Sequence, residues 1–322
     1  MHALIQAPNR LPASLQAEAE QVQRFIKARH ADATRRAYAS DVLAFKAWAD
    51  THDLPVLPAA PETVAMFISA QAGLGKRPAT LQRRLAAIRH LHRESGLLSP
   101  TDTDLVSAAM AGIRRTAGTA QRQVAPATAD LVERMLLACD EGLQGRRDRA
   151  LLALGFGGAL RRSEIVALNV EDIEVGPAGL KVHLRRSKTD QDGAGQQVAV
   201  LDGARLRVKV ALADWLAVAG ITAGPIFRRM ASDPKVGGRV MPAALTDRSV
   251  ANIVKRRAEQ AGLDPQLFSG HSLRAGFLTT AAASGASLFK MMDVSRHKKV
   301  DTVRGYIRQA EQFKDHAGSG FM

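Results

Sequence analysis

The chain has 322 residues, 46% of them hydrophobic, and its 45 Lys+Arg against 31 Asp+Glu give a formal charge of +14. That length suggests two domains, and so much apolar material excludes disorder as the main state. A single cysteine, Cys139, excludes a disulfide scaffold or a thiolate metal cluster and fits a reducing compartment.

In chain order the first half reads as helix. Leu15, Ala19, Val22 and Ile26 keep a 3–4 spacing, as do Tyr38, Val42, Phe45 and Ala49, with Tyr38 expected in the core. Pro61 opens a third helix with Val64, Phe67 and Ile68 on one face. A fourth runs from Pro78 with Leu81, Leu85, Ile88 and Leu91 inward, and a fifth spans 104–115. The fourth helix also carries Arg83, Arg84, Arg89 and Arg93, which form either an ordinary solvated face or a surface lining a groove of DNA. Residues 116–126 lack an apolar period and end in a proline, so they read as a linker. Fully extended, they reach ~35–40 Å, enough to run past a duplex. The expected boundaries are therefore 1–115 for a helical domain and 127–322 for a second domain.

The second half is mixed. Helices are expected at 128–139, 146–154 and 161–168, then three short strands at 170–175, 180–184 and 197–201, with Gly176-Pro177 and Asp192-Gly193 as turns. Helices resume at 204–218, 247–261, 272–284, 287–293 and 301–313. The longest near-apolar run, 150–160, holds three glycines and is far short of the ~20 residues needed to span a bilayer. No basic segment followed by an apolar one opens the chain, so neither a secretory leader nor a membrane partner is expected, and the location expected is cytoplasmic and nucleoid-associated.

Charge points to the partner. Residues 1–125 hold 16 Lys+Arg against 10 Asp+Glu and the remainder 29 against 21, so both halves are basic. Such a balance is the electrostatic footprint of a nucleic acid, because neutralised phosphates release counterions. Aromatics are only 4%, too few for a base-stacking platform, which favours duplex DNA.

Nucleotide and metal motifs fail. Gly73-Leu74-Gly75-Lys76 has Ala70 and Arg77 where a phosphate loop needs other residues, and Leu160 interrupts a dinucleotide pattern at Gly155, Gly157 and Gly158. Those glycines read instead as close-packing positions. No cofactor is expected.

The positive signal is a set of cations. Arg161 and Glu164 stand at i,i+3 at a helix start, either as a surface ion pair or with Glu164 orienting a guanidinium toward an anion. Lys188, in Ser187-Lys188-Thr189 between the second and third strands, is either a solvated hairpin tip or a general acid. His271 and Arg274 lie one turn apart on one face, as a helix-start histidine or as a phosphate grip. His297 precedes Tyr306 by nine residues. Tyr306 sits between Arg304 and Arg308, unusual company for a ring that only packs.

Taken together, Ala-Leu-Arg-x-Ser-Glu, Ser-Lys-Thr, His-Ser-Leu-Arg-Ala-Gly, His297 and Tyr306 resemble the tyrosine recombinases (the phage integrase family), in a Cre-like branch. The resemblance covers nearly the whole chain. It implies a mostly α fold with a small antiparallel β-sheet: an N-terminal helical, SAM-like core-binding domain and a C-terminal catalytic domain. It also implies a site-specific recombinase for integration, excision or resolution, working through a 3′-phosphotyrosyl intermediate without metal or ATP. Tyr306 would be the nucleophile, Arg161 and Arg274 the phosphate clamp, and Lys188 the general acid. His271 would assist proton transfer, His297 would hydrogen-bond the phosphate and Glu164 would support from behind. The implied assembly is a homotetramer on two double-stranded DNA sites, monomeric when free, with the tail 313–322 docking on a neighbour. One departure stands out: Ser295-Arg296-His297 replaces the common Leu-Gly-His.

Overall fold

A computed structural model describes residues 12, 15–28, 32–118, 124–185, 195–231, 238–310 and 318–320. It divides into two compact units, Met1–Arg122 and Gln123–Met322. Residues 119–123 of the expected linker, Lys188 and all of the tail 313–322 except 318–320 lie outside the described residues.

The first unit holds α1 (Gln16–Ala28), α2 (Asp32–Asp50), α3 (Pro61–Gly73), α4 (Pro78–Glu94), a 3-10 turn at Pro100–Asp102 and α5 (Asp104–Ala117). Pro61 and Pro78 begin α3 and α4, where the amide hydrogen that proline lacks has no helical partner. Phe45, Val64, Phe67, Ile68, Leu81, Leu85, Ile88, Val106 and Met110 form the core. Tyr38 is only half-buried, tilted against the His90 ring at 5.4 Å, so it borders this core rather than filling it. The false phosphate loop is a helix stop: Gly75 takes φ +74°, and the Gly75 and Lys76 amides donate back to Ala72 and Gln71.

The second unit runs α6 (Ala129–Leu137), α7 (Leu143–Gly157), α8 (Arg162–Ala167), β1 (Ile173–Val175), β2 (Gly179–Leu184), β3 (Gln196–Leu201) and α9 (Val208–Val218). It continues with β4 (Arg228–Met230), β5 (Val240–Ala244), α10 (Asp247–Gln260), α11 (Ser272–Ala283), α12 (Leu288–Ser295) and α13 (Val300–Ala310). The strands β1-β2-β3 make one antiparallel sheet, in which Val182 faces Ile173 on one side and Val198 on the other. Leu180, Val182 and Leu184 alternate inward and join the main core. A second sheet, β4–β5, has no counterpart in the sequence reading. Its Arg-Arg-Met strand and its Val-Met-Pro-Ala-Ala strand lack an alternating apolar pattern. The helix expected from 204 begins only at Val208, because Arg207 takes a left-handed conformation (φ 44°).

α7 is the central buried helix, and its glycines set the spacing around it. A Cβ on Gly155 would come within 2.8 Å of Ile165 and 3.0 Å of Leu273, and one on Gly157 within 2.9 Å of Val200. These glycines therefore let α8, α11 and β3 close on α7. Gly276 does the same for α11: a Cβ there would lie 1.7 Å from the Ala127 carbonyl oxygen. Among the described residues, no helix is long and apolar enough to cross a membrane.

Candidate active site

The site forms where α7 ends, α8 begins, α11 starts and α12 stops. Arg161 is the residue before α8. Its backbone amide donates to Glu164 Oε2 at 2.8 Å, and its guanidinium donates to Glu164 Oε1 at 2.5 Å, closing a capping box. Glu164 is 2% exposed, so this is a buried carboxylate rather than a surface ion pair.

Arg274, on α11, is 5% exposed. It donates to the Ala159 carbonyl at 2.7 Å and to the Ser295 carbonyl, and it lies 3.3 Å from the His297 ring nitrogens. Ser295 Oγ in turn meets His297 Nδ1 at 2.8 Å. A further guanidinium joins them. Arg296 donates to Glu164 Oε2 at 2.7 Å and to the Ala159 carbonyl at 3.2 Å.

Two backbone strains hold this arrangement. Ala159 has φ 44° and Arg296 has φ 58°, both in the region that favours glycine. They face one another through the Arg296-to-Ala159 hydrogen bond. Such strain persists where surrounding contacts over-determine the geometry, as at functional sites.

The electrostatics are lopsided. Three guanidiniums, Arg161, Arg274 and Arg296, face one carboxylate, Glu164. Burial first, and then the charges of Arg161 and Arg296, pull Arg274 down to about 9. The same causes, burial and then Arg274, Arg161 and Arg296, bring His297 down to about 4, so its ring is neutral at pH 7. Buried excess positive charge is costly unless an anion joins it. The pocket is therefore built to be completed by an anion.

Tyr306, on α13, is half-buried among hydrophobics packed on Leu278, Ala282, Met291 and Val303. Burial raises its phenol, and the Arg274 charge draws it back. The phenol thus lies within electrostatic reach of the clamp.

The structure brings Arg161, Glu164, Arg274 and His297 into direct contact and sets Tyr306 beside them. It separates His271 from Arg274: the His271 side chain is exposed at the start of α11 while Arg274 points inward. The β2–β3 hairpin that carries Lys188 is described only up to Arg185 and again from Gly195. Arg296 and Ala159 escaped the sequence reading. The available signal was the departure at Arg296, where an arginine stands in a turn that commonly takes glycine.

On α4, the four arginines do not form one open face. Arg83 forks onto Asp41, with Nε at 2.7 Å and a terminal nitrogen at 3.1 Å. Arg89 and Arg93 share Asp102, at 2.5 and 3.3 Å. Arg84 turns inward: its side chain is 12% exposed, bonded to Gln71 and set over the Phe67 ring at 5.6 Å. Packing rather than solvation holds it.

Residues 127–312 match the model of the phage integrase family, and 14–95 match that of the phage integrase N-terminal SAM-like domain. The chain belongs to the phage integrase family. Among relatives of this tyrosine recombinase, the integrase/recombinase xerD homolog of Selenomonas ruminantium is 40% identical over 304 residues, 92% of this chain and 87% of that protein. Recombinase Cre of Escherichia phage P1 is 27% identical over 281 residues, 82% and 80% of the two chains. Solved structures share the fold. The XerH site-specific recombinase bound to palindromic difH substrate superposes with a TM-score of 0.61 at 18% identity, covering 86% of this chain and 76% of that one. A lambda integrase dimer bound to a COC′ core site gives 0.60 at 16% identity, covering 95% and 83%.

Proposed function

We propose that this tyrosine recombinase cuts and rejoins duplex DNA at specific sites through a 3′-phosphotyrosyl intermediate. The carrying observation is the buried cluster of Arg161, Arg274 and Arg296 around one carboxylate, with the Tyr306 phenol beside it. Its excess positive charge suits a backbone phosphate, which gains negative charge as a fifth oxygen approaches phosphorus. Donors fixed in advance around that charge stabilise the transition state without reorganising.

In this reading the Tyr306 oxygen attacks phosphorus, the bond to the 5′-oxygen breaks, and the strand is left joined to the enzyme at its 3′ end. Ionising a phenol of pKa ~10 at pH 7 costs about 4 kcal/mol. The Arg274 charge offsets part of that. Arg161 and Arg274 grip the non-bridging oxygens, and neutral His297 donates a single hydrogen bond to one of them. Lys188 protonates the departing 5′-oxygen, and His271, at the open start of α11, assists in moving the phenolic proton. The phosphodiester is exchanged for a phosphotyrosine of similar energy, so a 5′-hydroxyl can reverse the step and resealing needs neither ATP nor metal.

The partner is double-stranded DNA, met by both basic units, with a homotetramer on two sites as the working assembly and the nucleoid as its location. The unit boundaries fit 1–115 and 127–322 joined by the 116–126 linker.

The test lets the protein choose its own target. Nicked genomic fragments are incubated with the protein in EDTA, covalent adducts are recovered under denaturing conditions, and the attached DNA is sequenced. Adducts clustered at one sequence are expected, with Tyr306→Phe yielding none. Adducts scattered without sequence preference would indicate a relaxing topoisomerase instead, and adducts in Tyr306→Phe would overturn the nucleophile.

A further inference from the structure

The residue after α12 stands where the backbone favours glycine, yet it is an arginine with four hydrogen bonds. Arg296 is 8% exposed. Its Nη1 donates to the carbonyls of Gly158 (3.2 Å) and Val294 (2.7 Å), and its Nη2 to the Ala159 carbonyl (3.2 Å) and Glu164 Oε2 (2.7 Å). Only its Nε, also buried, has no hydrogen-bond partner. The terminal nitrogens are occupied by protein oxygens, so this side chain has nothing left with which to grip a phosphate.

We propose that Arg296 is a positioning residue that anchors Glu164 and the strained Ala159 carbonyl, and through them sets the aim of the Arg161–Arg274 clamp. The inference rests on the recombinase reading of the same site.

The geometry supplies the reason. Glu164 must satisfy two demands: it orients Arg161, and it must release that guanidinium enough for a phosphate to take it. A carboxylate held by Arg161 alone would keep its only cation. Held also by Arg296 on Oε2, it remains compensated when Arg161 turns to an incoming phosphate. The Ala159 carbonyl is the second link, since it receives both Arg296 and Arg274. Removing Arg296 leaves Ala159 in a left-handed conformation with one donor fewer and loosens the oxygen that aims Arg274. The turn itself is shared. Ser295 offers its carbonyl to Arg274 and its hydroxyl to His297, while the Arg296 amide closes α12 on Met292 at 2.6 Å. One three-residue corner thus touches every fixed member of the clamp.

Charge gives an independent readout. His297 is faced by Arg274 from α11, by Arg161 and Glu164 at the start of α8, and by Arg296 from its own turn. A neutral residue at 296 removes one of three like charges.

Three variants separate charge, fork and backbone. Arg296→Met keeps bulk without charge, Arg296→Lys keeps charge without the fork, and Arg296→Gly suits the left-handed backbone. Protein carrying ¹³C-labelled histidine is titrated by NMR without DNA. Single-turnover covalent cleavage is then measured on a nicked duplex containing the site recovered by sequencing. In Arg296→Met the His297 titration moves up from about 4, and cleavage falls at least tenfold. In Arg296→Lys the titration stays low while cleavage remains impaired, because an ammonium cannot bridge Glu164 and Ala159 together. Should Arg296→Met not fold, Arg296→Gly carries both readouts. Cleavage within twofold of wild type in Arg296→Met or Arg296→Gly, or an unmoved His297 titration, overturns the proposal. Failure of the wild-type protein to form any covalent adduct would instead overturn the recombinase reading, and the titration would still decide the role of Arg296.

Discussion

Arg274 and His297 owe their unusual acidities to the same crowding, and each makes a measurable pH signature. Arg274 loses its proton near 9 in the empty site, so the clamp weakens above that pH even as Tyr306 becomes easier to ionise. Single-turnover cleavage should therefore fall as pH rises past 9 rather than climb toward the phenol's own ionisation. A rate still rising at pH 10 would show that Arg274 is not needed in its charged form. His297 acts on stability. Its folded value of about 4 lies below the ordinary 6.5, so the unfolded chain binds more protons between those limits. Stability is then complete above about 6.5 and is lost as pH falls toward 4. Replacing it (His297→Gln) should flatten that acid limb by on the order of 1–2 kcal/mol, after discounting for its partial exposure, in denaturant melts at pH 4.5 and 7.

At the scale of elements, the reading from sequence succeeds where periodicity and punctuation agree. Pro61 and Pro78 mark helix starts, and Leu180, Val182 and Leu184 alternate as an inward strand face should. Arg161, Glu164, Arg274 and His297 are legible because each stands inside a short ordered motif. Arg296 is not, since its meaning depends on a turn and on a carboxylate 132 positions earlier in the chain. The β4–β5 pair is hidden for a related reason: an arginine-rich strand has no apolar alternation to betray it. Equally invisible is Asp148 on α7, which is fully buried and receives Arg147, Arg256 and Arg257 at 2.5 to 3.1 Å, with Arg257 reaching on to Asp140. Arg257 and Arg147 are nearly as buried, so Asp148→Asn would leave guanidiniums without a counter-charge. A loss of about 3–5 kcal/mol in denaturant unfolding is expected, as for other broken buried pairs. Gly276→Ala tests packing in the same unit. Its new methyl would meet the Ala127 carbonyl at 1.7 Å, which α11 cannot yield without moving Arg274. It should cost about 3 kcal/mol and reduce covalent cleavage with it, and a neutral outcome would mean that the 124–128 segment shifts freely.

For the whole molecule, the charge of +14 says that phosphates are met, but not by which arginines. The α4 cations separate by what holds them. Arg93 is mostly exposed and shares Asp102, itself open to solvent, so removing it costs the fold little. Arg84 is enclosed between Gln71 and the Phe67 ring, where its loss removes packing and a charged hydrogen bond. Arg83 is intermediate, an exposed guanidinium on the nearly buried Asp41. Each phosphate contact contributes about 0.9 to the slope of log K against log salt on a duplex. Arg93→Ala should thus lower that slope by about one while leaving the melting temperature in place. Arg84→Ala should do the reverse, costing about 1–2 kcal/mol of stability with the slope unchanged. Arg83→Ala should move both, because it removes a phosphate contact and also strips Asp41 of its forked partner. Binding isotherms on one duplex at several salt concentrations, paired with thermal melts, separate the three. If Arg93→Ala keeps the full slope, the DNA does not lie along α4, and the first unit must meet it through another of its basic faces.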